Sequence, residues 1–159
     1  GIRAGALRDR QTTFVSCWHS NPGESEAFWR LYCPNGSTGV AIRTTASRLL
    51  QALDPSAPID LGRVQYIDFS KSYAGLHDRI FWKRMSLAHE AEVRVVWRHK
   101  LDNTSQGLAV SVDLNLLIDE VVPSPFAPAW FSNLLQSVVR RFNANLNVTK
   151  SELLAQPFF

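Results

Sequence analysis

The sequence contains only two cysteines, Cys17 and Cys33, in 159 residues. Two thiols cannot build the disulfide framework of a small secreted domain. The sequence also lacks a secretory signal and any apolar run close to the roughly 20 residues that span a bilayer. These absences predict a cytoplasmic protein with reduced thiols and no membrane partner.

Charged residues are sparse as well, at 19% of the chain, and the net charge is only +3. The pI near 9.1 supports a nucleic-acid partner only weakly, because the basic residues form no long block. The length and the 45% of hydrophobic residues predict a single domain over residues 1–159. Since the chain begins at Gly1 without methionine, we expect it to lack an N-terminal segment of a longer protein.

Strand and helix patterns mix along the chain without strict alternation. The segments that read as strands are "TTFVSCWH", "TGVAIRT", "GRVQYIDFS", "EVRVVWRH", "LAVSVDL", "LIDEVVPSP" and "LNVTKS". This pattern predicts an α+β fold with a mixed or antiparallel central sheet flanked by about four helices. The helix "APAWFSNLLQSVVRRF" places five apolar residues on or near one stripe: Trp130, Phe131, Leu134, Val138 and Phe142.

The first predicted helix begins at "NPGE" and ends near Cys33. Asn21 is a good N-cap, Pro22 suits the first helical position, and Glu24 stands where a capping box needs its carboxylate. Apolar residues cover most of the circumference, so we expect this helix to be buried on two sides.

Cys17 and His19 point the same way from the first predicted strand. A catalytic Cys–His pair needs a third, orienting group, and zinc ligands with Cys-x-x-Cys spacing are missing. We therefore predict a semi-buried thiol beside a hydrogen-bonded histidine, and no metal site.

A helix predicted from about Leu76 to His89 places His77 and Arg84 in the middle of its apolar face. A buried guanidinium needs a carboxylate, a phosphate or several carbonyls. Arg84 is therefore either half of an internal ion pair, which is the favoured interpretation, or an anion-binding group at the floor of a cleft.

The adjacent stretch "HEAEVR" places Glu90, Glu92 and Arg94 on one face of a strand. Such a row is either a solvated sheet face or a site. Two close carboxylates can split their pKa values and serve as acid and base, or they can position a ribose hydroxyl. Arg84 is a candidate partner for either glutamate.

Several blocks occur in a specific order along nearly the whole chain: "VSCWHSNPGESEAFWRLY", "GVAIRTT", "GRVQYIDF", "KRMSLAHEAEVR" and "SPFAPAWF…SELLAQPFF". In this combination the sequence resembles the bacterial family known as domain of unknown function 2971. Members carry an upstream Leu-Tyr-His-Tyr-Thr segment, and their layout is distantly similar to that of ADP-ribosyltransferases. The resemblance implies NAD as a substrate, with Glu92 or Glu90 as the acid that binds a ribose hydroxyl.

The leading functional prediction is a cleft for a nucleotide-like or phosphorylated ligand, with transfer of ADP-ribose in stress response or phage defence. Glu90 and Glu92 are its predicted catalytic residues. The predicted ligand-binding residues are Arg84, Arg94, Ser16, Trp18 and Tyr32, with the last three as pocket walls. The alternative is a non-catalytic module that binds a protein or a nucleic acid, in which these polar residues are internal structure.

Overall fold

The computed structural model describes residues 12–34, 38–72, 79–98, 107–142 and 145–156. The chain divides into two compact units, one of residues 1–21 and 56–109 and the other of residues 22–55 and 110–159. Helices occur with antiparallel and mixed sheets, which confirms the predicted α+β class.

The described elements have the following bounds. The strands are β1 (Thr13–His19), β2 (Val40–Arg43), β3 (Ile59–Arg63), β4 (Gln65–Ile67), β5 (Trp82–Arg84), β6 (Glu92–Arg98), β7 (Glu120–Pro123) and β8 (Asn147–Val148). The α-helices are α1 (Glu26–Tyr32), α2 (Ala46–Gln51), α3 (Leu114–Leu117) and α4 (Trp130–Arg141). Three short 3₁₀ helices are η1 (Arg79–Phe81), η2 (Met85–Glu90) and η3 (Glu152–Leu154).

The first unit is built on an antiparallel sheet in the order β1-β6-β3. Its central strand, β6, lies within the predicted segment "EVRVVWRH", but its burial does not alternate, since Val95 and Val96 are both buried and Val96 completely so. In the register of β1 and β6, Cys17 lies opposite Arg94, and His19 lies opposite Glu92. Because side chains directly opposite each other share a face, these four residues lie on one side of the sheet.

The predicted helix from Leu76 to His89 is wrong over its described part. Trp82–Arg84 is a strand that pairs in parallel with Gln65–Ile67, and Met85–Glu90 is a 3₁₀ helix. A strand partner distant in sequence therefore overrides the helical spacing of the apolar residues. Leu76 and His77 lie outside the described residues.

Ala91 separates η2 from β6 and adopts a left-handed conformation, with φ of 40°. This conformation is unfavourable for a residue with a Cβ. At Ala91 the backbone changes from the 3₁₀ helix, which ends at Glu90, to the strand, which begins at Glu92. Two glutamates thus flank a sharp change in chain direction.

The second unit contains a mixed sheet in the order β2-β7-β8. Trp29, Cys33 and Val122 are buried together in its core. Helix α4 packs on β7 and β8, and its Phe131 is buried. Residues 107–113, which include all but the last residue of the predicted strand "LAVSVDL", form no regular structure, and Leu114 begins α3, so that prediction is wrong. Asp113 instead caps α3, because its carboxylate accepts from backbone amides of that helix.

The capping prediction for α1 is wrong. Ser25, rather than Asn21, is the N-cap, and its hydroxyl accepts from the backbone amide of Phe28. Glu24 accepts from three groups elsewhere in the unit: the Trp29 indole at 2.8 Å, the Ser151 hydroxyl at 2.7 Å and the Glu152 amide at 2.6 Å. These donors occupy the carboxylate that a capping box would need.

Helix α1 is also less buried than predicted. Trp29 is its one buried residue, whereas Leu31 and Tyr32 are 61% and 67% exposed. A helix of seven residues has only two turns, and a single large side chain is enough to attach it to the core. The expectation of burial on two sides is therefore wrong.

Candidate functional site

Four charged side chains of the first unit form one connected group: Lys83, Glu90, Glu92 and Arg94. We call this group the Glu92 cluster. The Lys83 ammonium forms ion pairs with both carboxylates and lies 2.8 Å from that of Glu92. The Arg94 guanidinium donates to both oxygens of Glu92, at 2.8 and 3.2 Å. The arginine therefore binds the carboxylate in the bidentate geometry that makes such pairs strong.

Three consecutive elements position the cluster. Lys83 lies on β5, Glu90 ends η2, and Glu92 and Arg94 follow on β6. A hydrogen bond also holds the backbone of the cluster in place, since the Glu92 amide donates to the Tyr66 hydroxyl at 2.8 Å. Arg94 also donates to the carbonyl of Ile80. The site is thus attached to the segment that precedes β5.

The Glu92 cluster is largely enclosed and formally neutral. Lys83 and Glu90 are 24% and 17% exposed, whereas Arg94 and Glu92 are 13% and 6% exposed. Two cations balance two anions, and each cation already contacts a carboxylate. A phosphate would therefore find no unpaired charge within the cluster.

The pKa of Glu92 reflects this pairing. Burial alone would raise it, but hydrogen bonds from Arg94, Cys17 and Lys83 outweigh burial and lower the pKa to about 2. Such a carboxylate stays ionised at neutral pH. It is a poor proton donor and a weak base, because efficient acid–base catalysis needs a pKa near the working pH.

The two cations of the cluster respond in the opposite sense. Burial lowers the pKa of Lys83 and of Arg94, but the carboxylates outweigh it, and both pKa values are raised. Lys83 therefore stays charged and cannot act as a neutral amine nucleophile.

Cys17 and His19 border the cluster from β1. Cys17 is exposed, but partial burial of its thiol and a hydrogen bond to Glu92 raise its pKa. A thiol with a raised pKa is a poor nucleophile, because the thiolate is the reactive form. A ring nitrogen of His19 lies 2.5 Å from the Glu90 carbonyl, so the prediction of a hydrogen-bonded histidine is confirmed.

The structure brings together three of the predicted site residues: Glu90, Glu92 and Arg94. It does not place Arg84 with them. Arg84 is an exposed residue of β5, so the prediction that it is buried in a helix face is wrong. Lys83, the residue before it, is the cation that pairs with Glu90 and Glu92, as was predicted for Arg84. The sequence contains one signal for a second cation. Glu90, Glu92 and Arg94 on a buried face carry one excess negative charge, which needs a positively charged partner.

The two predicted pocket walls on β1 face away from the cluster. Ser16 and Trp18 alternate with Cys17 along β1, so they lie on the opposite face of the sheet. Tyr32 belongs to the second unit, where it is exposed and stacks on Phe28 with ring centroids 5.7 Å apart. The predicted pocket is therefore not formed in the first unit by these residues.

Over the described part of the chain, neither metal ligands nor the cleft beside α4 add a further candidate. Within the ranges that the structure describes, no group of three or more His, Cys, Asp or Glu side chains could hold a metal ion. A shallow cleft of about 210 Å³ lies beside α4, and none of the predicted site residues lines it. Its lining residues are Gln136, Val139, Arg140, Leu146 and Val148.

No family model, curated protein or solved structure matches this chain. The resemblance to domain of unknown function 2971 therefore stays a prediction. Among the described residues, no helix combines the length and the apolar character that crossing a membrane requires.

Proposed function

We propose that this chain is a non-catalytic protein-binding module, in which the Glu92 cluster is internal structure and not a reaction centre. The observation that carries the proposal is the state of Glu92. Its side chain is 6% exposed, and its carboxylate is paired with Lys83 and Arg94. A buried carboxylate with both charged partners in place serves the fold and has no free position for a ligand.

ADP-ribose transfer, which the family resemblance implies, needs a carboxylate that reaches a ribose hydroxyl. Glu92 could reach one only by giving up a charged partner. Where that partner is Arg94, which has no other carboxylate in the cluster, leaving it buried and unpaired costs about 3–5 kcal/mol. Glu90 is bound to the same lysine and is 17% exposed. Group transfer is therefore the less supported of the two functional predictions.

An exposed apolar surface of the second unit supports a protein as the partner. Four apolar residues of α4 and its C-cap are exposed in one row: Trp130, Leu134, Val138 and Phe142. A contiguous exposed apolar row is typical of protein-binding surfaces. A nucleic-acid site would instead show a basic stripe, so we favour a protein as the partner.

A Glu92→Gln variant separates the two functions. The wild-type chain is incubated with radiolabelled NAD and a bacterial extract, and we expect no transfer of label to protein. The matched control is Glu26→Gln, which also removes a glutamate paired with an arginine, but at an exposed position. Label transfer by the wild type and by Glu26→Gln, but not by Glu92→Gln, would overturn the proposal.

A further inference from the structure

We infer that the exposed apolar row of α4 binds a second copy of this chain, with the two α4 helices antiparallel. The inference rests on the proposed function, because it names the protein that the module binds. We call Trp130, Leu134, Val138 and Phe142 the α4 row. The members are spaced four residues apart, which places them along one ridge of the helix.

Only part of the apolar surface of α4 is buried against the rest of the second unit. Phe131 is buried where the helix packs on β7 and β8. Leu134 and Val138 lie next to that buried side and are 49% and 43% exposed, and Trp130 at the N-terminal end is 58% exposed. Single exposed apolar residues are ordinary, but a row of four is a surface that water solvates poorly.

The side-chain sizes along the α4 row are suited to packing against the same row of a second copy. When ridges of this spacing pack into each other, the helix axes cross at about 50°. The axes are closest in the middle and diverge toward the ends. The row has aliphatic residues in the middle and large aromatic residues at both ends. An antiparallel pair places Trp130 of one copy near Phe142 of the other, and Leu134 near Val138.

The charges favour the antiparallel direction. Residues 130–142 contain two arginines, Arg140 and Arg141, and no acidic residue. Both arginines lie in the last turn, where they also complement the helix dipole. A parallel pair would bring four arginines together. An antiparallel pair separates them and places Arg141 beside Trp130 of the other copy.

A guanidinium beside an indole is a favourable contact, because the ring face attracts cations. The chain already makes one contact of this kind, in which the Arg30 guanidinium lies 4.7 Å from the centre of the Phe126 ring. Arg141 lies three residues after Val138 and therefore on the side of the helix that carries the row. The antiparallel pair thus places a cation beside Trp130 and keeps the arginines of the two copies apart.

The expected dimer is weak, because one helix row per copy is at the small end of protein interfaces. Its dissociation constant should be on the order of 10 µM or higher. Sedimentation velocity from about 1 µM to several hundred micromolar would detect such an equilibrium. The expected result is a monomer at the lowest concentration that converts to a dimer as the concentration rises.

Leu134→Glu places a charge in the centre of the row and should weaken the dimer at least about tenfold, since each carboxylate would be buried against the apolar Val138 of the other copy. Leu50→Glu is the matched control. Leu50 is also a helical leucine, and it is 50% exposed where Leu134 is 49% exposed. We expect it to leave the equilibrium unchanged. Circular dichroism melts show that each variant is folded.

Two variants at Trp130 test the direction. In an antiparallel pair, Trp130→Glu brings a carboxylate near Arg141 of the other copy, whereas Trp130→Lys brings a second cation there. The glutamate variant should therefore dimerise more strongly than the lysine variant, by about fivefold or more at low salt. Equal weakening would overturn the antiparallel arrangement.

Other outcomes would overturn the inference as a whole. These are a monomer at every concentration, or a dimer that Leu134→Glu leaves intact. Co-sedimentation of a monomer with anionic vesicles, lost in Leu134→Glu, would instead assign the row to a membrane surface. None of these results bears on the non-catalytic role of Glu92, which the label-transfer assay tests separately.

Discussion

Glu92 in the first unit and Glu24 in the second unit are both carboxylates with several donors, but the donors differ in charge. Glu92 is paired with Lys83 and Arg94, and its side chain is 6% exposed. Glu24 accepts from an indole, a hydroxyl and a backbone amide, all of them neutral. Glu24 therefore joins distant parts of the chain through neutral donors, whereas Glu92 binds cations that are close to it in sequence.

The difference decides what happens when the carboxylate is lost. Without Glu92, the largely buried Arg94 has no carboxylate left in the cluster, and Lys83 keeps only Glu90. Without Glu24, neutral donors remain, and water can solvate part of them because Glu24 is only half-buried. Both carboxylates have all their hydrogen-bond partners in the folded protein, but replacing the one with charged partners should destabilise the protein more.

The largest effect is expected from Glu92→Gln. The variant keeps the shape of the side chain but removes the charge that Lys83 and Arg94 share. It should lower the free energy of unfolding by about 3–4 kcal/mol, as breaking a buried ion pair does. Urea unfolding at pH 7 measures the loss. Glu26→Gln, at an exposed helical pair, should cost about 0.5 kcal/mol or less. Equal costs would contradict a structural role for the Glu92 cluster.

Acid should remove the contribution of Glu92 in a defined pH range. Its pKa is lowered from 4.5 to about 2 by folding. A lowered pKa means that the stabilisation is complete above pH 4.5 and is lost as the pH falls toward 2. The linked free energy is about 3 kcal/mol. The wild type and Glu92→Gln should therefore converge in stability in this range. A constant difference from pH 7 to 3 would contradict the assigned pKa.

A smaller effect is expected from Glu24→Gln. The amide keeps one acceptor for the Trp29 indole or the Ser151 hydroxyl but loses the other. We expect the free energy of unfolding to fall by about 1–2 kcal/mol, the cost of an unsatisfied neutral donor. Urea unfolding under the same conditions gives the comparison. A loss as large as that of Glu92→Gln would show that donor charge does not set the cost.

The smallest effect, and the one gain, is expected from Ala91→Gly. Ala91 has φ of 40° between the two glutamates of the cluster. Glycine adopts this conformation without strain, so the variant should gain up to about 1 kcal/mol, partly offset by a more flexible unfolded chain. A thermal melt should show a rise of a few degrees. A fall would mean that the alanine side chain makes contacts that outweigh the backbone strain.

The elements that were predictable are those whose pattern is local. Strand β6 is a short run rich in valine, and α4 repeats its apolar residues with helical spacing. Both were predicted close to their observed bounds. The segment before β6 has helical spacing too, but its residues 82–84 pair with a strand about seventeen positions earlier. Periodicity reports a burial pattern and contains no information on such partners.

The candidate site was predictable in part for the same reason. Glu90, Glu92 and Arg94 are near neighbours in sequence, so their proximity follows from strand geometry. Lys83 was missed because its place depends on the parallel pairing of β4 and β5. Glu24 was misassigned because its true partners, Ser151 and Glu152, come from the far end of the chain. Local rules recognise a cap but cannot detect a distant competitor for the carboxylate.

The interleaving of the two units determines when each can fold during synthesis. His19 contacts a residue 71 positions later in the first unit, and Ser151 contacts one 127 positions earlier in the second. A ribosome must therefore release β6 before β1 finds its partner, and it must release residue 152 before the carboxylate of Glu24 is satisfied. The first unit is complete once residue 109 has been made, whereas the second also needs residues 110–159. Contacts of such long range make folding slow, and the nascent strands stay exposed to aggregation and to chaperones in the meantime.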